Sequence, residues 1–403
     1  MEPHSKLGIT YKDSLLYIML GGIIVVSFLF ASGGAFKASY IVFFVFVILK
    51  TQDINYPEKV YNPLNTILSV FAILVTISFV NFLDVPFDNL YFQIPGCGNY
   101  INLFFYALLW YFIYSFTYEY QKYHGINKNI LFIFSLTYFI IGIYYNIYTY
   151  NLIRNVQGNE YIQHNSPYFV IISLPIISLF IKNKIRYLLI IISIFASFYA
   201  YKRSCLIVSI IILAYTIYFD MRNTSKIKTT LLIFLIGYLL VNFVPSDFWD
   251  VSERTLERIN NLSYDGGSNR LDHINNGLNF IEDANIIQFL IGKGFQCNSL
   301  IYHGSNYDVE WISILNYYGI VGFVLYLIIH VYFIHRIYIM SKYKSDLLYS
   351  MVIFYIIFAF YSISGEMFTY QFYSAVLFLY LGYTEAIESN YKIIEDYDHS
   401  ILS

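Results

Sequence analysis

A small set of cationic, acidic and imidazole side chains carries the chemistry that this sequence offers. They are Lys202-Arg203, Arg270, His303 and Glu310. Arginine and lysine bind anions, and a guanidinium holds phosphate or carboxylate oxygens through two parallel hydrogen bonds. Histidine changes its charge near neutral pH, so it is suited to taking up and releasing a proton. What these residues can do together depends on the elements that position them.

Most of the polar side chains lie on one long loop, residues 246–309, or at the ends of the apolar segments beside it. The loop holds Arg254, Arg258, Arg270, Asp272, His273 and His303. Elsewhere, apolar runs follow one another with gaps of a few residues. The sequence therefore predicts that the function resides in this loop and in its immediate surroundings.

Composition indicates a membrane protein. The chain has 403 residues, of which 58% are hydrophobic and 12% charged, whereas soluble domains average about 25% charged residues. A helix needs roughly 20 apolar residues to span a bilayer, and the apolar runs here are continuous rather than alternating, which favours helices. We predict an all-α polytopic membrane protein, a single membrane domain over residues 1–403. The twelve predicted spans are 14–31, 36–49, 63–82, 101–118, 129–147, 167–181, 185–200, 203–219, 228–245, 310–334, 346–363 and 367–386.

The distribution of basic residues predicts the orientation. With a cytoplasmic N-terminus, the inner segments hold sixteen of the 24 Lys and Arg residues and the short outer segments hold four, in agreement with the positive-inside rule. The remaining four lie in the loop 246–309, and long loops cross largely regardless of their charge. Both termini are predicted to be cytoplasmic, and this loop is predicted to be external.

The long loop contains a helical pattern. Five apolar residues recur at helical spacing: Leu271, Ile274, Leu278, Ile281 and Phe289. This pattern predicts an amphipathic helix that lies on the membrane or on the helix bundle. Its N-cap is predicted at Ser268 or Asn269, and Gly292-Lys293-Gly294 is predicted to end it. Arg270 then falls in the first turn, where a bound anion would reverse the unfavourable interaction of a cation with the helix dipole. A tolerated, exposed arginine is the alternative.

Two other positions oppose the rules of membrane topology. Lys202-Arg203 places two cations on the short outer turn between the seventh and eighth spans, which suggests a function, although both could extend to lipid headgroups instead. Glu310 opens the tenth span at the interface, where an ionisable group is costly enough to require a reason. His303 on its own is most simply a polar surface residue.

The remaining signals are weaker. Neither the net charge of −2 nor any basic patch indicates a nucleic-acid partner. Cys205 lies within a span and is predicted to be a small core residue, while Cys97 and Cys297 both fall on the outer side, which leaves a disulfide open. No Cys/His spacing resembles a zinc site, and no metal site is predicted. The acidic stretch from Glu385 to Asp398 is predicted to be a solvated cytoplasmic tail.

In their order and their side of the membrane, these motifs resemble those of the O-antigen polymerase and O-antigen ligase superfamily of bacterial envelope glycosyltransferases. Arg203-Ser204 opens a span, like the family's Ser-Arg-small motif, and Asn269-Arg270-Leu271 opens a loop helix that ends at Gly292-Lys293-Gly294-Phe295. His303 then precedes a span that carries Gly319 and Gly322. The resemblance covers about residues 200–335, and the twelve-span layout extends it loosely to the whole chain.

One departure concerns the histidine motif. The family often places Asn directly after the His, whereas Gly304 and Ser305 stand before Asn306 here. The role of Asn306 is therefore in doubt, and Glu310 is the better candidate for a partner of His303.

The resemblance implies a metal-independent, inverting transfer of a glycan from an undecaprenyl diphosphate carrier to a sugar hydroxyl, without a cofactor, on the periplasmic face of a bacterial inner membrane. Its partners would be this lipid-linked glycan, the lipid bilayer and a chain-length regulator protein. Arg203, Arg270 and Lys202 would bind the diphosphate. His303 would be the general base, with Glu310 orienting it or substituting for it.

Aromatic and amide side chains near the outer face are candidates for glycan binding. The candidates are Tyr302, Asn306, Tyr307 and Trp311. The aromatic members could stack on sugar rings, but an aromatic belt at the membrane interface is the simpler account of them.

Three other functions remain open. A ligase would use a similar donor and transfer the finished glycan to lipid A-core; the biased Ile, Tyr, Phe and Asn content favours the polymerase. A lipid-linked oligosaccharide flippase, or a small-solute transporter, would place charges inside the spans, where the sequence has few. The sequence gives neither the sugars, nor the linkage formed, nor the oligomeric state.

Overall fold

The computed structural model describes residues 11–31, 62–82, 100–157, 165–181, 185–200, 202–223, 266–282, 284–292, 309–364 and 371–402. Within these ranges the regular secondary structure is entirely helical, which confirms the predicted all-α class for this part of the chain. The helices are α1 (Tyr11–Ala31), α2 (Pro63–Phe82), α3 (Tyr100–Tyr123), α4 (Lys128–Gln157), α5 (Ser166–Phe180), α6 (Ile185–Tyr199), α7 (Arg203–Asn223), α8 (Gly266–Glu282), α9 (Ile286–Ile291), α10 (Glu310–Lys342), α11 (Leu348–Ser364) and α12 (Gln371–Leu402).

Ten of the twelve predicted spans coincide with these helices, and the predicted spans 36–49 and 228–245 lie outside the described residues. By length and composition, three of the described helices are able to cross a membrane: Lys128–Thr149 in α4, Arg203–Asp220 in α7, and Glu310–Lys342. Shorter apolar helices occur in α1, α2, α5, α6 and α11. The described part of the chain has membrane-protein character, and the count of twelve spans stays a prediction.

Ten of the twelve described helices contribute to one large hydrophobic core, and α8 packs on a second, small apolar cluster at the start of α10. Helix α3 packs along α12, α4 along α5, and α6 along α7. Small residues allow such helices to approach closely in a membrane. At Gly382 in α12, an added Cβ would lie 2.6 Å from the carbonyl oxygen of Tyr114 in α3, so the two backbones are in direct contact there.

Hydrogen bonds between tyrosine hydroxyls and small polar side chains join the helices across this core. The chain has 44 tyrosines, and several are fully buried. Tyr349 in α11 lies 2.7 Å from the hydroxyl of Thr216 in α7, and Tyr380 in α12 lies 2.9 Å from that of Ser350 in α11. A buried tyrosine needs a partner for its hydroxyl, and these pairs satisfy both groups.

Helix α10 is broken at Gly319, so the predicted span 310–334 is wrong as one continuous helix. Gly319 has φ 66° and ψ −167°, a conformation that only glycine adopts readily. The hydroxyl of Tyr326 reaches to 3.4 Å from a carboxylate oxygen of Glu310, whereas sixteen residues of straight helix would separate them by roughly 24 Å. Residues 310–318 therefore fold back along the helix that follows, and the segment 320–342 is still long enough to span a bilayer.

The predicted loop helix is in fact two helices. Helix α8 begins at Gly266, so the predicted N-cap at Ser268 or Asn269 is wrong, and the chain is non-helical at Ala284 and Asn285 before α9. Packing of α8 on α10 overrides the turn signal of the glycine pair, and the side chain of Asn285 caps α9. The predicted glycine end is confirmed, because Gly292 is the C-cap of α9 with φ 89°.

A buried ion cluster joins α10 to α12. The Nε of Arg336 lies 3.1 Å from the Oε1 of Glu385, and its Nη2 pairs with Glu388. The hydroxyl of Tyr332 donates to Glu385 at 2.7 Å. The side chains of Arg336 and Glu385 are only 7% and 6% exposed. The prediction of a solvated tail is therefore wrong at its first residues, because Glu385 and Glu388 lie inside the bundle and are neutralised by an arginine there.

Replacing Arg336 by alanine is expected to lower the free energy of unfolding by about 3–5 kcal/mol, since two buried carboxylates would lose their counter-charge. Reversible unfolding in detergent, followed by circular dichroism, measures this loss. Lys342→Ala removes an exposed cation from the same helix and should change the free energy by no more than about 0.5 kcal/mol. Equal effects of the two substitutions would contradict the assignment of a buried ion cluster.

Candidate functional site

The structure describes some of the predicted site residues and not others. Lys202, Arg203, Glu310 and Trp311 are described with their side chains. Arg270 is placed as the fifth residue of α8, by its backbone only. Outside the described residues lie the candidates His303, Tyr302 and Asn306 and both cysteines of the candidate disulfide, Cys97 and Cys297. Of the predicted loop 246–309, the structure describes residues 266–282, 284–292 and 309.

The two cations at the predicted outer turn begin α7. The turn between α6 and α7 is tight, and the backbone N–H of Lys202 donates to the carbonyl of Ser197 at 3.1 Å. The Nζ of Lys202 lies 5.3 Å from the centre of the Tyr168 ring, a cation–π distance. Arg203 is 8% exposed. An arginine that extended to lipid headgroups would be exposed at its tip, so the burial of Arg203 in the protein favours a specific role.

Tyr168 of α5 and Tyr361 of α11 connect the start of α7 to α11. The hydroxyls of Tyr168 and Ser204 lie 3.2 Å apart, and the Tyr168 ring meets the Tyr361 ring edge-on at 4.7 Å between centres. The hydroxyl of Tyr361 donates to the sulfur of Cys205 at 3.3 Å. Cys205 is fully buried, as its position in an apolar run predicts.

Glu310 is brought to the same region by the fold-back of α10. Its side chain is fully buried. Tyr326, whose hydroxyl contacts Glu310, also donates to Ser362 at 2.6 Å, and the Ser362 hydroxyl lies 3.3 Å from the Nε2 of His330. A buried carboxylate is unfavourable unless hydrogen bonds or charges compensate it. The single hydroxyl hydrogen of Tyr326 can be donated either to Ser362 or to Glu310, so the hydrogen bond to Glu310 forms at the expense of the shorter one to Ser362.

The contacts that begin at Lys202 and Ser204, on either side of Arg203, lead through Tyr168 to Tyr361 of α11. The contact that begins at Glu310 leads through Tyr326 to Ser362, the next residue of α11. We call the residues that make these contacts the α11 cluster. Its members are Tyr168, Lys202, Ser204, Glu310, Tyr326, Tyr361 and Ser362, and the buried Arg203 lies between two of them in the sequence. Two motifs that lie more than a hundred residues apart in the sequence thus reach neighbouring positions of one helix.

Helix α8, which carries Arg270, lies against the part of α10 that carries Glu310. Ile274, one turn beyond Arg270, packs on Val309 and Ile312. The side-chain amide of Asn316 is 3.4 Å from the carbonyl of Gly277. The helix that carries Arg270 is therefore adjacent to the segment that carries the buried Glu310. Because α8 begins at Gly266, Arg270 lies in its second turn, where the helix dipole contributes little.

Trp311 takes part in packing. Its ring lies 6.4 Å from that of Phe323, across the fold-back of α10, and the side chain is half-buried. This contact accounts for the tryptophan without a glycan, so its sugar-stacking role stays a prediction.

Four members of the α11 cluster were missed by the sequence analysis. They are Tyr168, Tyr326, Tyr361 and Ser362. Three of them are tyrosines in a chain with 44 of them, so residue type alone gave no signal. A signal does exist at Tyr326 and His330, which are four residues apart on a span and carry polar groups on one helical face.

The α11 cluster combines the groups that an anion-binding, proton-transferring site requires. Two cations stand at the start of α7, a carboxylate is shielded from solvent, and hydroxyls connect the carboxylate to α11. Shielding from water strengthens electrostatic interactions at such a site. Within the described ranges, no three His, Cys, Asp or Glu residues are grouped so that they could hold a metal ion.

No protein-family model matches the chain, and the comparison with curated proteins gives no match.

Proposed function

We propose that this protein is a membrane glycosyltransferase that polymerises undecaprenyl-diphosphate-linked oligosaccharide repeat units on the outer face of a bacterial inner membrane. The observation that carries the proposal is the α11 cluster, in which Lys202 and Ser204, the neighbours of the buried Arg203, and the buried Glu310 are linked through tyrosines to consecutive residues of one helix. A guanidinium and a carboxylate at one end of a helix bundle suit a reaction with an anionic leaving group and a proton to remove.

The proposed reaction is a single displacement. The acceptor hydroxyl oxygen forms a bond to the anomeric carbon while the bond from that carbon to the diphosphate oxygen breaks. The electron pair of the broken bond goes to the diphosphate, whose negative charge Arg203, Arg270 and Lys202 offset. The proton of the acceptor hydroxyl goes to a general base, and the anomeric configuration inverts.

His303 is the proposed base, and Glu310 orients it or takes its place. His303→Ala is expected to slow glycan transfer by roughly 10²–10⁴-fold, the usual contribution of a general base. Single-turnover transfer measured at several pH values tests this expectation. A small loss that is recovered at higher pH would assign the role of base to Glu310 or to the substrate instead.

Transfer by the purified protein tests the proposal directly. Full-length protein is mixed with a synthetic undecaprenyl diphosphate repeat unit, and the products are separated by size. We expect a ladder of longer glycans, which Lys342→Ala protein should form as wild type does. Movement of the lipid-linked substrate across a vesicle membrane without any ladder would refute the enzyme and support a flippase.

The ligase alternative differs in its acceptor, and a deletion strain separates the two. Loss of a polymerase should leave single repeat units on lipid A-core. Loss of a ligase should leave long chains on the undecaprenyl diphosphate carrier. The biased composition of the chain favours the first outcome.

A further inference from the structure

Helix α9 exposes much of its apolar surface. None of its six residues is buried. Ile286 and Ile287 are 77% and 63% exposed, and Phe289 and Leu290 are 45% and 44% exposed. Four large apolar side chains on so short a helix form an uncovered patch, which in a folded protein marks a surface that contacts something else.

A capping box at one end and a backbone contact at the other hold α9 in place. The side chain of Asn285 accepts from the N–H of Gln288, and the side chain of Gln288 accepts in return from the N–H of Asn285. At its other end, a Cβ on Gly292 would lie 2.1 Å from the carbonyl oxygen of Tyr317, so the two backbones touch at the break in α10. A six-residue helix is too short to be stable alone, and this docking fixes it with its apolar side chains pointing away.

The surroundings of α9 indicate what covers the patch. Helix α9 contacts α10 and α2. Both helices expose apolar side chains themselves, among them Val321 and Val324 just after the break in α10, and Ile73 in α2. α10 is one of the helices long and apolar enough to cross a membrane. Residues 284–292 contain no charged side chain, so α9 and the helix that it contacts both present exposed apolar residues.

We propose that α9 is embedded among the acyl chains of the bilayer, beside the Gly319 end of the α10 span, and that it anchors the long loop in the membrane. The loop then has two parts with different surroundings. Helix α8 lies on the bundle through Ile274 and exposes Asp272 and Asn275, which suits an aqueous surface. Helix α9 lies in lipid, and an interfacial helix with an apolar face is known to bind there.

A fluorescent label tests the depth of α9. Ile287→Cys and Asp272→Cys are made separately in full-length protein that carries Cys97→Ser and Cys297→Ser and retains the buried Cys205. Each is labelled with bimane and placed in lipid nanodiscs that contain a quencher on the acyl chain or on the headgroup. We expect quenching at residue 287 to be several-fold stronger from the acyl chain, and quenching at residue 272 to be stronger from the headgroup or from aqueous iodide. Phe289→Cys provides a second position on α9.

Three outcomes would overturn the proposal. Stronger quenching of 287 and 289 by iodide than by acyl-chain quencher would place α9 in water. Disulfide formation between Ile287→Cys chains, without acyl-chain quenching, would show that a second copy covers the patch. Acyl-chain quenching that is lost when undecaprenyl diphosphate is added would assign the patch to the carrier lipid. Normal thermal unfolding of each labelled protein ensures that the result reports on the native fold.

Discussion

Gly319→Ala is expected to prevent the protein from folding stably, with a loss of more than about 3 kcal/mol in the free energy of unfolding. Two separate effects add at this position. The backbone conformation, φ 66° and ψ −167°, excludes side chains with a Cβ. An added Cβ would also lie 2.5 Å from the backbone nitrogen of Gly292 and 2.5 Å from the carbonyl oxygen of Leu290, neither of which can rotate away.

A matched control separates the two effects. Gly125 also has a positive φ, 76°, but nothing lies within 4 Å of an added Cβ there. Gly125→Ala should therefore cost only about 1 kcal/mol, the price of the backbone conformation alone. Unfolding in detergent measures both variants. If Gly319→Ala were no worse than Gly125→Ala, the fold-back of α10 and the contact with α9 would be wrong.

The second large effect is expected at Arg203. Arg203→Ala should abolish long-chain glycan in cells and reduce transfer by the purified protein by at least roughly 10²-fold, as removal of one charge-stabilising donor does. Arg203→Lys should restore little of the activity, because an ammonium cannot form the two parallel hydrogen bonds of a guanidinium with a diphosphate. Gel analysis of surface glycan and the ladder assay measure these losses.

Stability must be measured alongside activity at this position, since Arg203 is buried. Arg203→Lys keeps the positive charge and most of the side-chain volume, so it should insert in the membrane and unfold nearly as wild type does. Normal polymer length in cells that carry Arg203→Ala would remove this residue from the proposed site.

Much of the helical framework can be predicted from the sequence. Helix α2 has the predicted limits, 63–82, because a continuous apolar run begins directly at a proline, which is favoured in a first helical turn. The break at Gly319 was not predictable, since glycine is common in membrane helices and most of them remain continuous. It follows from the docking of α9, which is a contact distant in sequence.

The candidate site is predictable where a residue violates a general rule. Arg203 stood out because cations are rare on short outer turns, and Glu310 because it opens an apolar span. Tyr326 and Ser362 violate no rule, and only the fold brings Tyr326 to Glu310 and Ser362 to Tyr326. Glu385 was wrongly predicted to be solvated because it begins an acidic stretch. In the structure it is buried and pairs with Arg336.

Binding of the carrier lipid tests the central proposal most directly. The dissociation constant of undecaprenyl diphosphate is measured for wild type, Arg203→Lys, Arg270→Lys and the control Lys342→Ala. If two guanidinium groups hold one diphosphate, each Arg→Lys change should weaken binding by about 10–100-fold, the equivalent of about 1.5–3 kcal/mol for charged hydrogen bonds, and Lys342→Ala should have no effect. Wild-type affinity in both arginine variants would contradict the proposed site.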